Sequence, residues 1–338
     1  MDSVVFLCQA SGDLVHILQA AHKEHVENNE LAILVLCMDE KLLESWNFLN
    51  VDYIGVRYCP RYYAPISKPF TYCHWKRSVS ALINSKIVDG NEIKRIYFTS
   101  IYDDPGTAYY IHILSKHNFD IIYLNHYDDK QSIVPLKHVT FKDKLRILMY
   151  RCMTGIDFKL YYMSGRWNVI RFPKENYSFK EISSNIEPSF LKQYAFRLDN
   201  GRRNVLVFSQ PNRDHDLISD SEYDKIFYDV VIKLKESGYY VVQKGHPRLG
   251  TCHIVDSIVD YTIPASIPSE LVNYDSFIGC YGYLTIALAS SAKMGVNSYS
   301  ILPLTKDHET AAYKGAEKFC NSTSDGKLLY VNQIDDIH

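Results

Sequence analysis

Two adjacent carboxylates form the first group of residues in this chain that could do chemistry. Asp103 and Asp104 stand in the stretch SIYDDPGT, between a predicted strand and a predicted helix. A carboxylate in such a loop can act as a general base, and repulsion between neighbouring carboxylates favours holding one proton between them. The alternative is structural, with Asp104 capping the helix that begins near Pro105.

A basic cluster, Lys244-Gly245-His246-Pro247-Arg248, follows the end of another predicted strand. Lysine, histidine and arginine within five residues suit an anionic ligand such as a phosphate. His246 could donate a proton to a departing phosphate, since imidazole exchanges protons near neutral pH. Pro247 would stiffen the loop that carries it. The alternative is a surface turn whose charges have no ligand.

Two later segments offer polar groups that suit a nucleotide. Pro268 opens a short predicted helix, and Glu270 in its first turn could accept hydrogen bonds from ribose hydroxyls or simply complement the helix dipole. Ser290 and Ser291 could donate to a phosphate or belong to a small-residue packing face. The glycines of Gly279–Gly282 match neither GxGxxG nor GxxxxGK[ST], which disfavours a dinucleotide fingerprint and a P-loop.

The residues that commonly bind metals give no strong pattern. Asp214 and Asp216 form a DxD motif, but two carboxylates in a loop are common by chance, so no metal site is predicted there. The eight cysteines contain no CxxC pair, which disfavours a zinc knuckle and a thioredoxin-like site. We expect reduced, buried thiols.

Composition limits the class of protein. The 338 residues carry 37 basic and 39 acidic side chains, and this near-balance argues against nucleic acid as a partner. With 46% apolar and 22% charged residues, the chain has the composition of a packed globular protein. The sequence shows neither a signal-peptide pattern nor a membrane-spanning run, so the expected location is the cytoplasm.

Strands and helices alternate along both halves of the chain, which predicts parallel sheets covered by helices. The predicted strands are Val4–Cys8, Leu31–Cys37, Tyr53–Tyr58, Arg95–Thr99, Asp120–Leu124, Asn204–Phe208, Tyr239–Gln243, Ser276–Ile278 and Ser298–Ile301. The predicted fold class is α/β, with two Rossmann-like domains facing each other across a cleft. We assign residues 1–156 to the first domain, 157–200 to the connection and 201–338 to the second domain.

One predicted helix, Lys137–Met153, alternates basic and apolar residues. Such a helix suits the surface of an anionic membrane, so a peripheral membrane contact is one expectation. The alternative is a helix packed on the protein with a solvated basic face.

Taken together, the motifs resemble those of the bacterial sialyltransferases and polysialyltransferases of the GT-B arrangement. That family has an acidic D/E-D/E-G motif, then an HP motif, then a Ser-Ser motif. Asp103-Asp104 with Gly106, His246-Pro247 and Ser290-Ser291 occur here in the same order. The segments that include Pro268-Ser269-Glu270 and Ser209-Gln210-Pro211 are also similar to loops of that family. Pro105 interrupts the acidic motif, so Asp104 rivals Asp103 as the base.

The resemblance implies an inverting transfer of sialic acid from CMP-sialic acid to a hydroxyl of a bacterial surface glycan, such as an O-antigen, capsule or lipopolysaccharide unit. Asp103 or Asp104 would be the catalytic base, and His246 would donate to the departing phosphate. The first domain would bind the acceptor and the second the donor. The donor-binding residues implied are Lys244, Gly245, Pro247, Arg248, Pro268, Glu270, Ser290 and Ser291, with Ser209, Gln210 and Pro211 in a nearby loop.

The same implication requires neither a metal nor a cofactor, because CMP carries its own leaving phosphate. Lipid-linked acceptors would place the protein peripherally on the inner face of a membrane. The alternatives are a transferase of Kdo or another CMP-activated nonulosonic acid, a GT-B-like epimerase acting on UDP-sugars, and a binding protein without turnover.

Overall fold

The computed structural model places two compact units in sequence, residues 1–187 and 188–338. It describes residues 2–28, 32–37, 40–58, 70, 73, 76–77, 80, 87–88, 91–99, 112–125, 133–135, 139–163, 167–171, 178–184, 186–212, 217–247, 249–306, 308 and 310–337. The unit boundary lies within the range 157–200 that the sequence analysis assigned to the connection. The acceptor and donor roles of the two units stay predictions.

The first unit is built on a sheet of seven strands. Its elements are β1 (Asp2–Cys8), α1 (Ser11–Glu27), β2 (Ala32–Cys37), α2 (Glu40–Leu49), β3 (Ile54–Tyr58), β4 (Ile87–Val88), β5 (Asn91–Phe98), β6 (Asp120–Asn125), β7 (Ile133–Pro135), α3 (Phe141–Thr154), β8 (Lys159–Met163), β9 (Trp167–Arg171) and β10 (Lys180–Ser183). The strand order is β10-β6-β5-β1-β2-β3, all parallel, and β4 pairs antiparallel with β5. Strands β7, β8 and β9 form a separate antiparallel sheet.

The second unit has a sheet of six parallel strands. Its elements are α4 (Pro188–Tyr194), β11 (Asn204–Phe208), α5 (Asp220–Glu236), β12 (Tyr240–Lys244), β13 (Tyr261–Ile263), β14 (Gly279–Gly282), α6 (Ile286–Lys293), β15 (Ser298–Ser300), α7 (Ala311–Thr323) and β16 (Leu329–Tyr330). The strand order is β13-β12-β11-β14-β15-β16. Strands β11, β12 and β13 therefore form one half of the sheet, and β14, β15 and β16 form the other half. This is the Rossmann strand order.

The cores explain why these segments become strands and helices. Residues of β1, β2, β11 and β12 are almost all buried, as expected of parallel strands covered on both faces. Helix α1 buries the side chains Leu14, Ile17, Leu18 and Ala21, which recur at helical spacing in the sequence. The predicted fold class is confirmed: both units are α/β and Rossmann-like, which is the domain composition of a GT-B fold.

One strand prediction was wrong in position. Ser276–Ile278 was expected to be a strand, but the buried strand is Gly279–Gly282. Tyr274–Ser276 forms a 3-10 turn instead. Two glycines make Gly279–Gly282 look like a loop in sequence, yet the strand lies at the centre of the sheet between β11 and β15.

Two findings concern the wider expectations. The thiols of Cys8, Cys37, Cys252, Cys280 and Cys320 are reduced and buried, as expected, whereas those of Cys73 and Cys152 are reduced and exposed. Among the described residues, no helix combines the length and the apolar character needed to cross a membrane.

Candidate functional site

The candidate site lies at the carboxyl edge of the second sheet. The strand order changes direction between β11 and β14, so the loops that follow these two strands leave toward opposite sides of the sheet. Open α/β sheets bind ligands in the crevice at such a switch point. The predicted residues Ser209–Pro211 follow β11, and Thr285 and α6 follow β14. The loop after the neighbouring strand β12 carries the basic cluster.

The loop after β11 is held by its own side chains. Ser209 is buried, and its Oγ donates to Oε1 of Gln243 at 3.0 Å. The carbonyl of Gln210 accepts from the Tyr223 hydroxyl at 3.0 Å. Gln210 and Pro211 are half-buried, so they are the members of this loop that a ligand could meet. Ser209 serves to fix the loop against β12.

The loop after β12 is a tight turn that carries His246. The backbone N–H of His246 donates to the Gly250 carbonyl at 2.8 Å, and the Gly250 N–H donates back to the His246 carbonyl at 2.9 Å. A Cβ on Gly245 would lie 2.7 Å from the carbonyl oxygen of Gly250, so only glycine fits there without moving the backbone. His246 and Pro247 are half-buried in this turn. Arg248 lies outside the described residues.

Lys244 is the last residue of β12, and its side chain is buried. Its side chain is only 3% exposed, and Nζ donates to the carbonyls of Gly245 at 2.8 Å and Ala265 at 3.1 Å. Burial lowers the pKa of Lys244 to about 8, while the Glu270 carboxylate acts in the opposite direction. The ammonium is enclosed by these two carbonyls, and its expected contact with a donor stays a prediction. It joins the loop after β12 to the loop after β13.

The loop after β13 carries Glu270 on a single 3-10 turn, Ser269–Leu271. Pro268 is buried at its start, and its carbonyl accepts from the Leu271 N–H at 3.0 Å. Glu270 is half-buried, and its Oε2 accepts from Ser269 Oγ at 3.1 Å. The expected short helix is therefore a single turn, which is too short for a helix dipole to stabilise the Glu270 carboxylate. The carboxylate lies in the loop after β13, at the carboxyl edge of the sheet where a nucleotide is predicted to bind.

The two predicted phosphate-binding serines of α6 differ in burial. Thr285 caps the helix, its Oγ1 accepting from the Ala287 N–H at 3.3 Å. Ser290 is half-buried, whereas Ser291 is 0% exposed. The Ser291 hydroxyl donates to the Leu288 carbonyl at 2.8 Å and lies 2.7 Å from the Ser298 hydroxyl. Helical rotation turns Ser291 into the core, so Ser290 is the more accessible of the two. The donor-binding role of both serines stays a prediction.

The acidic motif belongs to the first unit. In the sheet of that unit, the strand order changes direction between β1 and β5. Strand β5 precedes the acidic pair in the sequence. Thr99, at the end of β5, is fully buried. Asp103 and Asp104 themselves lie outside the described residues, as do Asp214 and Asp216.

Sequence reasoning missed a buried carboxylate beside that switch point. Asp13, in the first turn of α1, accepts hydrogen bonds from the backbone N–H groups of Gln9 at 3.0 Å and Ala10 at 2.8 Å. It thereby fixes the loop that follows β1. The Asp at the third helical position of Ser11-Gly12-Asp13 was the available signal, since an acidic residue there often satisfies free N–H groups.

No protein-family model matches this chain, and no curated protein sequence matches it. Solved structures resemble it over nearly its whole length at low identity. A Phytolacca americana UGT in complex with UDP-2-fluoro-glucose and pterostilbene is 12% identical, with 100% of this chain and 88% of the other covered and a TM-score of 0.49. A Listeria monocytogenes protein described as a UDP-N-acetylglucosamine 2-epimerase is 10% identical, with 99% and 85% covered and a TM-score of 0.47. The E. coli ADP-heptose LPS heptosyltransferase II is 10% identical, with 98% and 90% covered and a TM-score of 0.41.

Proposed function

We propose that this protein is an inverting glycosyltransferase that moves sialic acid from CMP-sialic acid to a hydroxyl of a bacterial surface glycan. The observation that carries the proposal is the joining of separate sequence motifs at one sheet edge. Lys244 Nζ donates a hydrogen bond to the Ala265 carbonyl at 3.1 Å. The negative charge of Glu270 raises the pKa of Lys244, against the effect of burial. The hydrogen bond from Lys244 therefore connects the loop after β12, which carries His246-Pro247, with the loop after β13, which carries Glu270.

The groups at this edge suit a nucleotide monophosphate leaving group. His246 lies in a turn that is closed by two backbone hydrogen bonds. These bonds fix the backbone from which the imidazole side chain extends. From there it would donate a proton or a hydrogen bond to the phosphate as the sugar–phosphate bond breaks. Glu270 would accept from the ribose hydroxyls, and Ser290 would donate to the phosphate. The buried Lys244 ammonium would add positive potential from behind the loops.

The acceptor would be activated from the first unit. Asp103, with Asp104 as its rival, would take the proton of the acceptor hydroxyl as that oxygen attacks the anomeric carbon. Attack opposite the departing CMP inverts the configuration at that carbon. The proton lost by the acceptor goes to the aspartate, and the negative charge that develops goes to the CMP phosphate. This scheme uses no metal ion, because the phosphate leaves as part of CMP.

Nucleotide selectivity is the first test of the proposal. CMP, UDP, GDP and ADP are compared for their effect on the melting temperature, each with and without EDTA. A ligand that binds only the folded state stabilises it by about 2.7 kcal/mol at a hundred times its dissociation constant. We expect stabilisation by CMP alone, unchanged by EDTA. Selective stabilisation by UDP would contradict the proposal and favour the epimerase alternative.

Transfer assays then separate catalysis from binding. His246→Ala is expected to lower turnover about 10²- to 10⁴-fold while CMP still raises the melting temperature. Asp103→Asn and Asp104→Asn are assayed side by side, and one of them should abolish transfer with CMP binding retained. Normal turnover in both aspartate variants would show that the base is assigned to the wrong segment. CMP-Kdo, offered in parallel with CMP-sialic acid, distinguishes the two nonulosonate donors.

A further inference from the structure

Helix α3 carries an apolar stripe that faces away from the protein. Phe141, Leu145 and Leu148 are 82%, 49% and 54% exposed, and Cys152 is also exposed. These four positions follow the spacing i, i+4, i+7, i+11, so they lie in one line along the helix. The opposite face is anchored, since Tyr150 is buried in the core of the first unit. The stripe is therefore a surface feature of a folded helix.

Basic residues border the stripe on both sides. At 100° per residue, Lys144 and Arg151 lie along one side and Lys142 along the other. The helix has four basic residues and one acidic residue, Asp143, whose backbone N–H donates to the capping Thr140 hydroxyl at 3.2 Å. This excess is local, because the whole chain has a net charge of -2.

The cations are available for an external anion. Arg151 pairs with Asp157 only at 3.7 Å, and both side chains are more than half exposed, so this pair is weak. Arg146 packs over the Tyr150 ring, 5.6 Å from its centroid. Lys142 and Lys144 are exposed and have no carboxylate partner among the residues that the structure describes.

His112 lies beside the carboxyl end of α3. Gly155 ends α3 with φ 74°, and a Cβ placed there would lie 3.9 Å from Nε2 of His112. Burial lowers the pKa of His112, and the nearby ammonium groups of Lys116 and Lys76 lower it further.

We propose that α3 docks this protein on the surface of a bilayer that contains anionic phospholipids. A helix with large apolar side chains on its outer line and lysine or arginine on both flanks lies in the interface between headgroups and acyl chains. The apolar stripe would enter the acyl boundary while the flanking cations meet lipid phosphates. A second copy of α3 is a poor occupant, because two such helices would bring like charges together. This proposal concerns a surface distinct from the motif residues and does not depend on the proposed function.

Vesicle co-sedimentation tests the proposal with the full chain. We expect binding to vesicles of phosphatidylcholine with about a third phosphatidylglycerol, little binding to phosphatidylcholine alone, and release at about 1 M salt, where charges are screened within ~3 Å. Phe141→Ser/Leu145→Ser/Leu148→Ser should lower the partition coefficient at least ten-fold. Lys142→Gln/Lys144→Gln should lower it about five-fold for each cation removed.

Control variants carry similar substitutions at exposed positions outside α3. Val26→Ser/Leu329→Ser removes two exposed apolar side chains, and Lys23→Gln/Lys318→Gln removes two exposed cations. Both control variants should bind anionic vesicles like the unchanged protein. Leu145→Ser alone repeats the test with a single exposed substitution, and an unchanged melting temperature shows that each variant is folded.

Two results would overturn the proposal. One is failure of the unchanged protein to bind anionic vesicles, and the other is undiminished binding by the triple apolar variant. Sedimentation velocity covers the competing occupant: dimers that the triple variant abolishes, without vesicle binding, would assign the stripe to self-association. Transfer activity is not a readout here, so failure of this proposal and failure of the proposed function are distinguishable.

Discussion

Ser290 and Ser291 are adjacent in the chain but differ in what their hydroxyls can reach. Ser290 is half-buried beside the candidate site, while Ser291 is enclosed with Ser298 and the Leu288 carbonyl. Ser290→Ala is therefore expected to weaken CMP binding by about 1 kcal/mol with little change in stability. Ser291→Ala should leave CMP binding unchanged and lower the free energy of unfolding by about 1–2 kcal/mol. Calorimetric titration and urea unfolding measure the two effects.

The reverse pattern would contradict this assignment. If Ser291→Ala weakened CMP binding and Ser290→Ala did not, the phosphate would contact the residue that the fold now encloses. Ser300→Ala serves as a control, because Ser300 is also fully buried and donates to the Tyr283 carbonyl at 3.1 Å. It should lower stability, like Ser291→Ala, without a large effect on CMP affinity.

The buried ammonium of Lys244 gives stability a particular pH dependence. Its folded-state pKa of about 8 is below the ordinary 10.5, so between these values the unfolded chain holds a proton that the folded chain has released. The free energy of unfolding therefore rises with pH in this window. We expect the unchanged protein to gain about 2 kcal/mol relative to Lys244→Met between pH 7 and pH 9.5.

Urea unfolding at several pH values measures this difference, and comparison with the variant cancels contributions from other groups. Lys225→Met is the control, because Lys225 is an exposed residue paired with Asp229 at 2.7 Å. It should show the same pH slope as the unchanged protein. Parallel curves for the unchanged protein and Lys244→Met would mean that the Lys244 ammonium is well solvated in the folded state.

A buried carboxylate joins α1 to β5, the strand that leads to the acidic motif. Glu24 is 6% exposed and accepts from Nη1 of Arg95 at 2.7 Å and from the Tyr97 hydroxyl at 2.5 Å. Glu24→Gln removes the charge that Arg95 faces and should lower the free energy of unfolding by about 2–4 kcal/mol. Glu27→Gln is the matched control, since its contact with Lys23 is exposed and 3.8 Å long; a change within about 0.5 kcal/mol is expected.

Thermal unfolding compares the effects of Glu24→Gln and Glu27→Gln on the stability of the contact between α1 and β5. Because each unit has a core of its own, the loss in Glu24→Gln should appear in the transition of residues 1–187. Equal, small effects of Glu24→Gln and Glu27→Gln would show that helix α1 is held by its apolar face alone.

At the level of the whole chain, the sequence predicted the elements better than the contacts. Long apolar runs such as Val4–Cys8 and Asn204–Phe208 correctly predicted buried strands. The alternation of these strands with helices correctly predicted parallel sheets. The strand predicted at Ser276–Ile278 was misplaced because the two glycines of Gly279–Gly282 indicate a loop when the segment is considered alone. Only the neighbouring strands β11 and β15 explain a buried strand there. The sequence located the motifs of the second unit but could not distinguish Ser290 from Ser291 or show that Lys244 is enclosed, because burial depends on distant elements.

The switch-point location leads to a prediction about both units at once. If CMP binds at the carboxyl edge of the second sheet, its contacts should slow backbone hydrogen exchange in the segments that follow the strands there. Hydrogen exchange with mass spectrometry should show protection in residues 245–250, 264–272 and 285–290, beside the carboxyl ends of β12, β13 and β14. The core strands of the first unit should exchange at an unchanged rate, because they have a separate core.

UDP at the same concentration is the control and should protect none of these segments. His246→Ala should keep the protection, since the imidazole is expected to act on the leaving phosphate more than on nucleotide affinity. Protection confined to residues 9–13, where Asp13 fixes the loop after β1, would place the nucleotide in the first unit. That outcome would reverse the assigned roles of the two units, because the acidic pair would then lie on the donor side and His246 on the acceptor side.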